Sequence, residues 1–256
     1  MSDSFPAGNR PAAAVKKTRR TTARWQSIVE TLAIVAIACA TVWKALPSRA
    51  LSLTPPAQKP PSRPRDAAPL PTQPIPLAGA ATKGDPKAKI ALVEFTDFQC
   101  PYCGQFSRET FPTLDQQYIQ TGKLLVALRN FPISGHSFAQ KAAEAAECSG
   151  KQGKFWEMHN VLFSRQKSLD LANLRDGAKS LNLDGASFDS CLTNGQTSEV
   201  VAKDLAIGRA LGVTGTPTFF LGNVQPDGSV KVASRFFGAQ TMTQIGPAID
   251  TLIAGR

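Results

Sequence analysis

Histidine is almost absent from this chain of 256 residues: His136 and His159 are the only two. Close cysteine pairs are as scarce. Cys100 and Cys103 make one Cys-x-x-Cys, while Cys39, Cys148 and Cys191 each stand alone. A structural zinc site takes four thiolate or imidazole ligands, so zinc would have to gather Cys148 and Cys191 around the pair with no histidine pair to help, and no metal is expected. Internal repeats are missing as well. The folded part also lacks a basic surplus, although the whole chain carries +10. Residues 1–77 hold 11 Lys/Arg against Asp3, Glu30 and Asp66, a net of +8, whereas residues 78–256 hold 18 against 16, a net of +2. A nucleic-acid binder needs a basic face on its folded domain, so nucleic acid is not an expected partner.

The basic N-terminal region reads as topology instead. Residues 1–24 are small, polar and cationic, as in a cytoplasmic tail. Ile28–Trp43 is mostly apolar, broken only by Glu30, Thr31 and Thr41, and is bracketed by Trp25 and Trp43. Nineteen residues from Trp25 to Trp43 just span hydrocarbon at about 1.5 Å per residue. With Lys and Arg on the N-terminal side, a transmembrane signal-anchor over 25–46 would leave the rest of the chain outside the cytoplasm. A cleaved signal peptide and a lipoprotein modified at Cys39 are the alternatives, and both give the same localisation. Residues 47–77 follow as a Pro-rich linker without a core, since residues 47–76 hold 10 of the 19 prolines.

From 78 to 256 the composition becomes globular. Ile90–Phe95 is an apolar run with one acid, Glu94, and predicts a central strand. Pro101 to about Gln120 predicts a helix, with Phe106, Phe111, Leu114 and Tyr118 at helical intervals. Leu124–Leu128 predicts a second strand, parallel to the first by the crossover rule. Residues 137–210 predict only helices: Phe138–Cys148, Lys154–Gln166, Leu171–Leu181, Ala186–Leu192 and Thr197–Leu211. Thr218–Leu221, a turn at Pro226-Asp227-Gly228 and Val230–Phe237 predict a hairpin, closed by a helix over Thr241–Ile253.

The chemistry is concentrated where the first strand meets the first helix. A Cys-x-x-Cys that opens a helix puts Cys100 at free backbone N–H groups and the positive end of the helix dipole, which favours a thiolate. Cys103, one turn on, can close a small disulfide with it. Cys100 is then the nucleophile or attacked sulfur and Cys103 the resolving thiol. Pro101 suits the first helical turn because it needs no hydrogen bond there. Glu94, six residues before Cys100 on an apolar strand, is either a desolvated acid able to exchange a proton with Cys103 or a solvated strand-edge carboxylate. Asp97 could point to solvent near the site. His159, among Phe155, Trp156, Leu162 and Phe163, reads as a packed core residue, and His136 as a loop residue that could lie near the site. Cys148 and Cys191 read as a structural disulfide, with an electron relay and buried free thiols as alternatives.

Val93-Glu94-Phe95-Thr96-Asp97-Phe98-Gln99-Cys100-Pro101-Tyr102-Cys103 resembles the active-site segment of DsbA-like thioredoxin-fold proteins. Gly212–Phe220 resembles their cis-proline loop, and Phe155–Phe163 a segment of their inserted helical domain. The resemblance spans about 78–256. It agrees with the order βαβ, helical block, ββα, which is an α/β thioredoxin fold with a helical domain inserted at about 137–210, here preceded by a single N-terminal transmembrane helix. It implies that Thr216–Pro217 is cis and packs against Cys100 and Cys103. The backbone of Thr216 would then pair with an extended substrate beside Pro101 and Tyr102. A buried acid beneath the disulfide is also implied, which supports Glu94. Tyr102 stands where the most oxidising relatives carry an imidazole, and Thr216 where they often carry an apolar residue.

The expected activity is an extracytoplasmic protein thiol-disulfide oxidoreductase that oxidises thiols of secreted or periplasmic proteins and needs no cofactor. The resemblance implies a quinone-linked membrane oxidase, or a membrane reductant donor, as redox partner. The alternatives are a reductase or isomerase using the same site, and a non-catalytic chaperone-like binding module.

Overall fold

The computed structural model of the chain describes residues 69–255. The basic tail at 1–24, the signal-anchor at 25–46, Cys39 and most of the linker lie outside the described residues. Among the described residues no helix is long and apolar enough to cross a membrane.

Six strands make one sheet. They are β1 (Ile75–Pro76), β2 (Ala81–Lys83), β3 (Ile90–Thr96), β4 (Leu125–Asn130), β5 (Thr218–Val224) and β6 (Ser229–Phe237), in the order β1-β6-β5-β3-β4-β2. Only β3 and β4 run parallel, Glu94 opposite Leu128, while every other neighbouring pair is antiparallel. All seven residues of β3 are buried, as a strand covered on both faces requires. Ile90 and Leu92 pack on one face with Phe219, Leu221, Ile245 and Ile249. Ala91, Val93 and Phe95 pack on the other with Phe131, Val213 and Phe220.

The first helix, α1, is continuous but not uniform. It is α over Pro101–Gln105, π over Phe106–Thr110, α over Phe111–Leu114 and π again over Asp115–Ile119. The first π turn ends just before Pro112, whose ring cannot stack under the carbonyl four residues back and has no N–H to give it. Five helices fill the interval between β4 and β5: α2 (Ala139–Gly150), α3 (Phe155–Ser164), α4 (Leu171–Ser180), α5 (Gly185–Thr193) and α6 (Gln196–Ala210). The alanine-rich face of α2 packs on Met158, Leu162, Leu174, Phe188 and Val201. The chain closes with α7 (Met242–Ala254), entered by a hydrogen bond from the Thr241 N–H to the Gln244 side-chain carbonyl, 2.8 Å.

The elements expected from periodicity are present with ends shifted by a few residues. Two features depart from the sequence reading. The edge strands β1 and β2 are too short to show any period. The sheet also starts before residue 78: Ile75 is fully buried and pairs with Val230, so the end of the expected linker belongs to the core.

Candidate active site

The insertion core and the sheet meet at the start of α1, where Phe98, Cys100 and Cys103 join the cluster built by α2, α3 and α5. Asp97 shapes the approach. One carboxylate oxygen accepts the Gln99 N–H at 2.7 Å, and the Asp97 carbonyl accepts the Cys100 N–H at 3.0 Å. The other oxygen accepts the Ile133 N–H at 2.8 Å and pairs with His136 Nδ1 at 2.7 Å. Asp97 is therefore buried, not solvent-facing, because a carboxylate with that many donors around it has no need of water. His136 lies near the site as the partner that holds Asp97 to the loop after β4.

Cys100 is the N-cap of α1, with Pro101 in the first turn and the Gly104 N–H donating to its carbonyl at 3.1 Å. Gln166, at the end of α3, reaches across and donates to the carbonyls of Phe98 and Cys100, both at 2.9 Å. It also accepts from Arg108 at 3.1 Å. The space for this clamp exists because residue 104 is glycine: a Cβ there would overlap the Gln166 carboxamide. Gln99 and Gln166 are site residues that sequence reading missed, while for Asp97 it gives the place near the site but the wrong orientation, toward solvent. Nothing local marks Gln166, since it lies 66 residues from its partner.

Cys100 and Cys103 are free thiols here, Cys100 barely exposed and Cys103 wholly buried. Thr216–Pro217 is a cis peptide bond, and Cys100 Sγ donates to the Thr216 carbonyl at 3.3 Å. The Cys100 pKa falls to about 5. The largest cause is the hydrogen bond from the Cys103 thiol; the Thr216 hydroxyl and the N–H groups of Cys103 and Tyr102 add to it, against a desolvation cost. Cys103 moves the opposite way, well above its ordinary value. Burial is the main cause, followed by the neighbouring Cys100 and then the charge of Glu94. Glu94 lies in β3, in register with Leu128 and Phe219, and is buried. Desolvation pushes its pKa up to about 7. The site thus holds a thiol that ionises easily, one that resists ionising, and an acid poised near neutrality that is electrostatically coupled to the second.

Tyr102 projects from the first turn of α1 with most of its surface in solvent. His159 is enclosed by Phe98, Phe111, Trp156 and Phe163, and burial lowers its pKa to about 4, so it is neutral at physiological pH. Cys148 is bonded to Cys191, joining α2 to α5. Their sulfurs are committed to each other and unavailable to a ligand set around Cys100.

The thioredoxin family model matches residues 78–234. Among solved structures, alpha-DsbA1 of Wolbachia pipientis superposes with a TM-score of 0.64 at 27% identity, over 71% of this chain and 94% of that one. A Rickettsia conorii protein that carries the provisional name protein-disulfide oxidoreductase is 28% identical over 148 residues, 56% of this chain and 53% of that protein. A Salinispora tropica protein named as a Na(+)/H(+) antiporter is 34% identical over 176 residues, 66% of this chain but 26% of its own length. The chain spans about a quarter of that relative, so most of the antiporter-named protein lies outside the match. A thioredoxin match over more than half of the chain, the DsbA-like structural neighbour and a helical insertion between β4 and β5 together place the chain in the thioredoxin family, in its DsbA-like branch.

Proposed function

We propose that this chain is a protein thiol-disulfide oxidoreductase that oxidises thiols of secreted proteins outside the cytoplasm. In the first step a substrate thiolate attacks Sγ of Cys100 in the Cys100–Cys103 disulfide. A new S–S bond to Cys100 forms, and the electron pair of the broken bond goes to Cys103. The Cys103 sulfur takes a proton from Glu94, which its pKa of about 7 makes available at neutral pH. In the second step the other substrate thiolate attacks the substrate sulfur of the mixed disulfide, and Cys100 leaves as a thiolate. The substrate has lost two electrons, and the cysteine pair has gained them. The Thr216 backbone, which lies against Cys100 Sγ, would pair with an extended substrate strand beside the exposed Pro101 and Tyr102.

The observation that carries this reading is the split between the two thiols. A leaving group of pKa about 5 departs readily and stabilises the reduced form, which makes the disulfide oxidising. A signal-anchor over residues 25–46 would hold the domain outside the cytoplasm, and a quinone-linked membrane oxidase would re-form the disulfide. The experiment is to equilibrate the full chain with glutathione and read the reduction potential of Cys100–Cys103. A value near about −120 mV supports an oxidant, whereas one near about −270 mV replaces it with a reductase supplied by a membrane electron donor. Cys103→Ser should trap a mixed disulfide on Cys100 with a substrate protein; a chaperone-like module would trap none.

A further inference from the structure

We propose that the groove beside Pro101 binds an acidic stretch of the polypeptide being oxidised. This rests on the redox reading above for the identity of the occupant, but not for the binding itself. The groove encloses about 840 Å³ and opens on Gln99 and Pro101, the two residues flanking Cys100. Three cations line it, Arg108 from α1, Arg165 from the end of α3 and Lys167 from the loop beyond, and the lining contains no carboxylate.

What sets the site apart is the gathering of three cations in one concave lining beside Cys100. None of the three has an acidic partner within 4 Å, whereas Lys83, Arg129, Lys141, Lys154 and Arg175 do; other unpaired cations among the described residues, such as Lys123 and Lys231, lie outside this groove. A cation at a helix C-terminus is favourable in itself, which accounts for Arg165 but not for Arg108 on another helix or Lys167 beyond it. Arg108 is also held in place, donating to the Phe163 carbonyl and to Gln166. Gln166 in turn bonds the Cys100 carbonyl, so one wall of the groove is built on the backbone of the reactive cysteine. A chain whose cysteine reaches Cys100 beside Thr216 therefore meets positive charge on leaving the sulfur. Such exposed contacts are individually weak and screened by salt, so their combined effect is a preference of about tenfold.

The test separates binding from chemistry. Short fluorescein-labelled peptides with serine in place of cysteine, flanked by acidic, amide or basic residues, are titrated with the full chain and read by fluorescence anisotropy. The acidic peptide should bind about tenfold more tightly than the amide peptide. The preference should vanish in Arg165→Gln/Lys167→Gln and in high salt, and persist in Lys123→Gln/Lys231→Gln, which removes the same charge from exposed sites outside the groove. Equal binding of all peptides, or a preference unchanged in the groove variant, overturns the proposal; the latter result would assign the effect to the basic N-terminal region. Dithiol versions of the same peptides then report on the redox reading. Binding without oxidation of any peptide removes that reading and keeps the groove, and oxidation of all peptides without binding preference does the reverse.

Discussion

Glu94 is one carboxyl on a strand whose other residues need no charge, and its consequences can be worked out from its environment alone. Its pKa stands raised from 4.5 to about 7 because the fold desolvates it. A raised folded-state pKa means that the fold favours the protonated acid. The stability it contributes is complete below about pH 4.5 and is lost as pH rises through about 7. The loss amounts to about 3 kcal/mol. Glu94→Gln removes that loss, so urea titrations should show variant and wild type alike at pH 4 and the variant more stable by up to about 3 kcal/mol at pH 8. The same substitution should slow formation of the mixed disulfide by about a hundredfold and flatten its pH dependence around 7, read by stopped-flow quenching of the reaction. A variant that is more stable yet reacts at the wild-type rate would leave Glu94 with no part in proton transfer.

Among the elements, the insertion carries its own staple. The disulfide from Cys148 in α2 to Cys191 in α5 closes 43 positions of chain, which the chain-entropy account values at about 4 kcal/mol. Cys148→Ala/Cys191→Ala should lower unfolding stability by about 2–4 kcal/mol in urea. The Cys100–Cys103 potential should stay where it was, since the bridge makes no hydrogen bond to the active-site segment. A large shift in potential would instead revive an electron relay through the bridge. At this scale the sequence was most legible. The helical periods of α2 to α6 and the alternating or apolar runs of β3 to β6 appear directly in the residues, because each element must present a buried face at its own repeat. Two- and three-residue strands such as β1 and β2 present no repeat, and only their pairing with β6 and β4 makes them strands.

Across the whole molecule, a buried polar hub ties the N-terminal segment, the sheet and the insertion together. Arg129 of β4 is buried, pairs with Asp204 of α6, and donates to the carbonyls of Pro76 and Ala78 at 2.7 and 2.9 Å. Asp204 also accepts the Asn130 N–H at 2.9 Å. Asp204→Ala would strand the Arg129 charge in the interior, and such losses cost about 3–5 kcal/mol. The expected result is a fall of that size in urea, with faster proteolysis around Pro76 and Ala78, where the chain is held by the same guanidinium. Arg129→Met/Asp204→Leu, which removes both charges together, should recover most of the loss.

The residues alone determined the order of the elements, the placing of Cys100–Pro101–Tyr102–Cys103 between a strand and a helix, and the likeness to DsbA-like chains, because period, helix-opening chemistry and motif are all local. Tertiary structure alone decided that Asp97 turns inward, that Gln166 clamps the cysteine backbone and that three cations gather beside Pro101, and it chose the disulfide among the readings open for Cys148 and Cys191. Each of these joins residues tens of positions apart. Contacts of that kind depend on which faces the topology brings together, and no local pattern of residues encodes them.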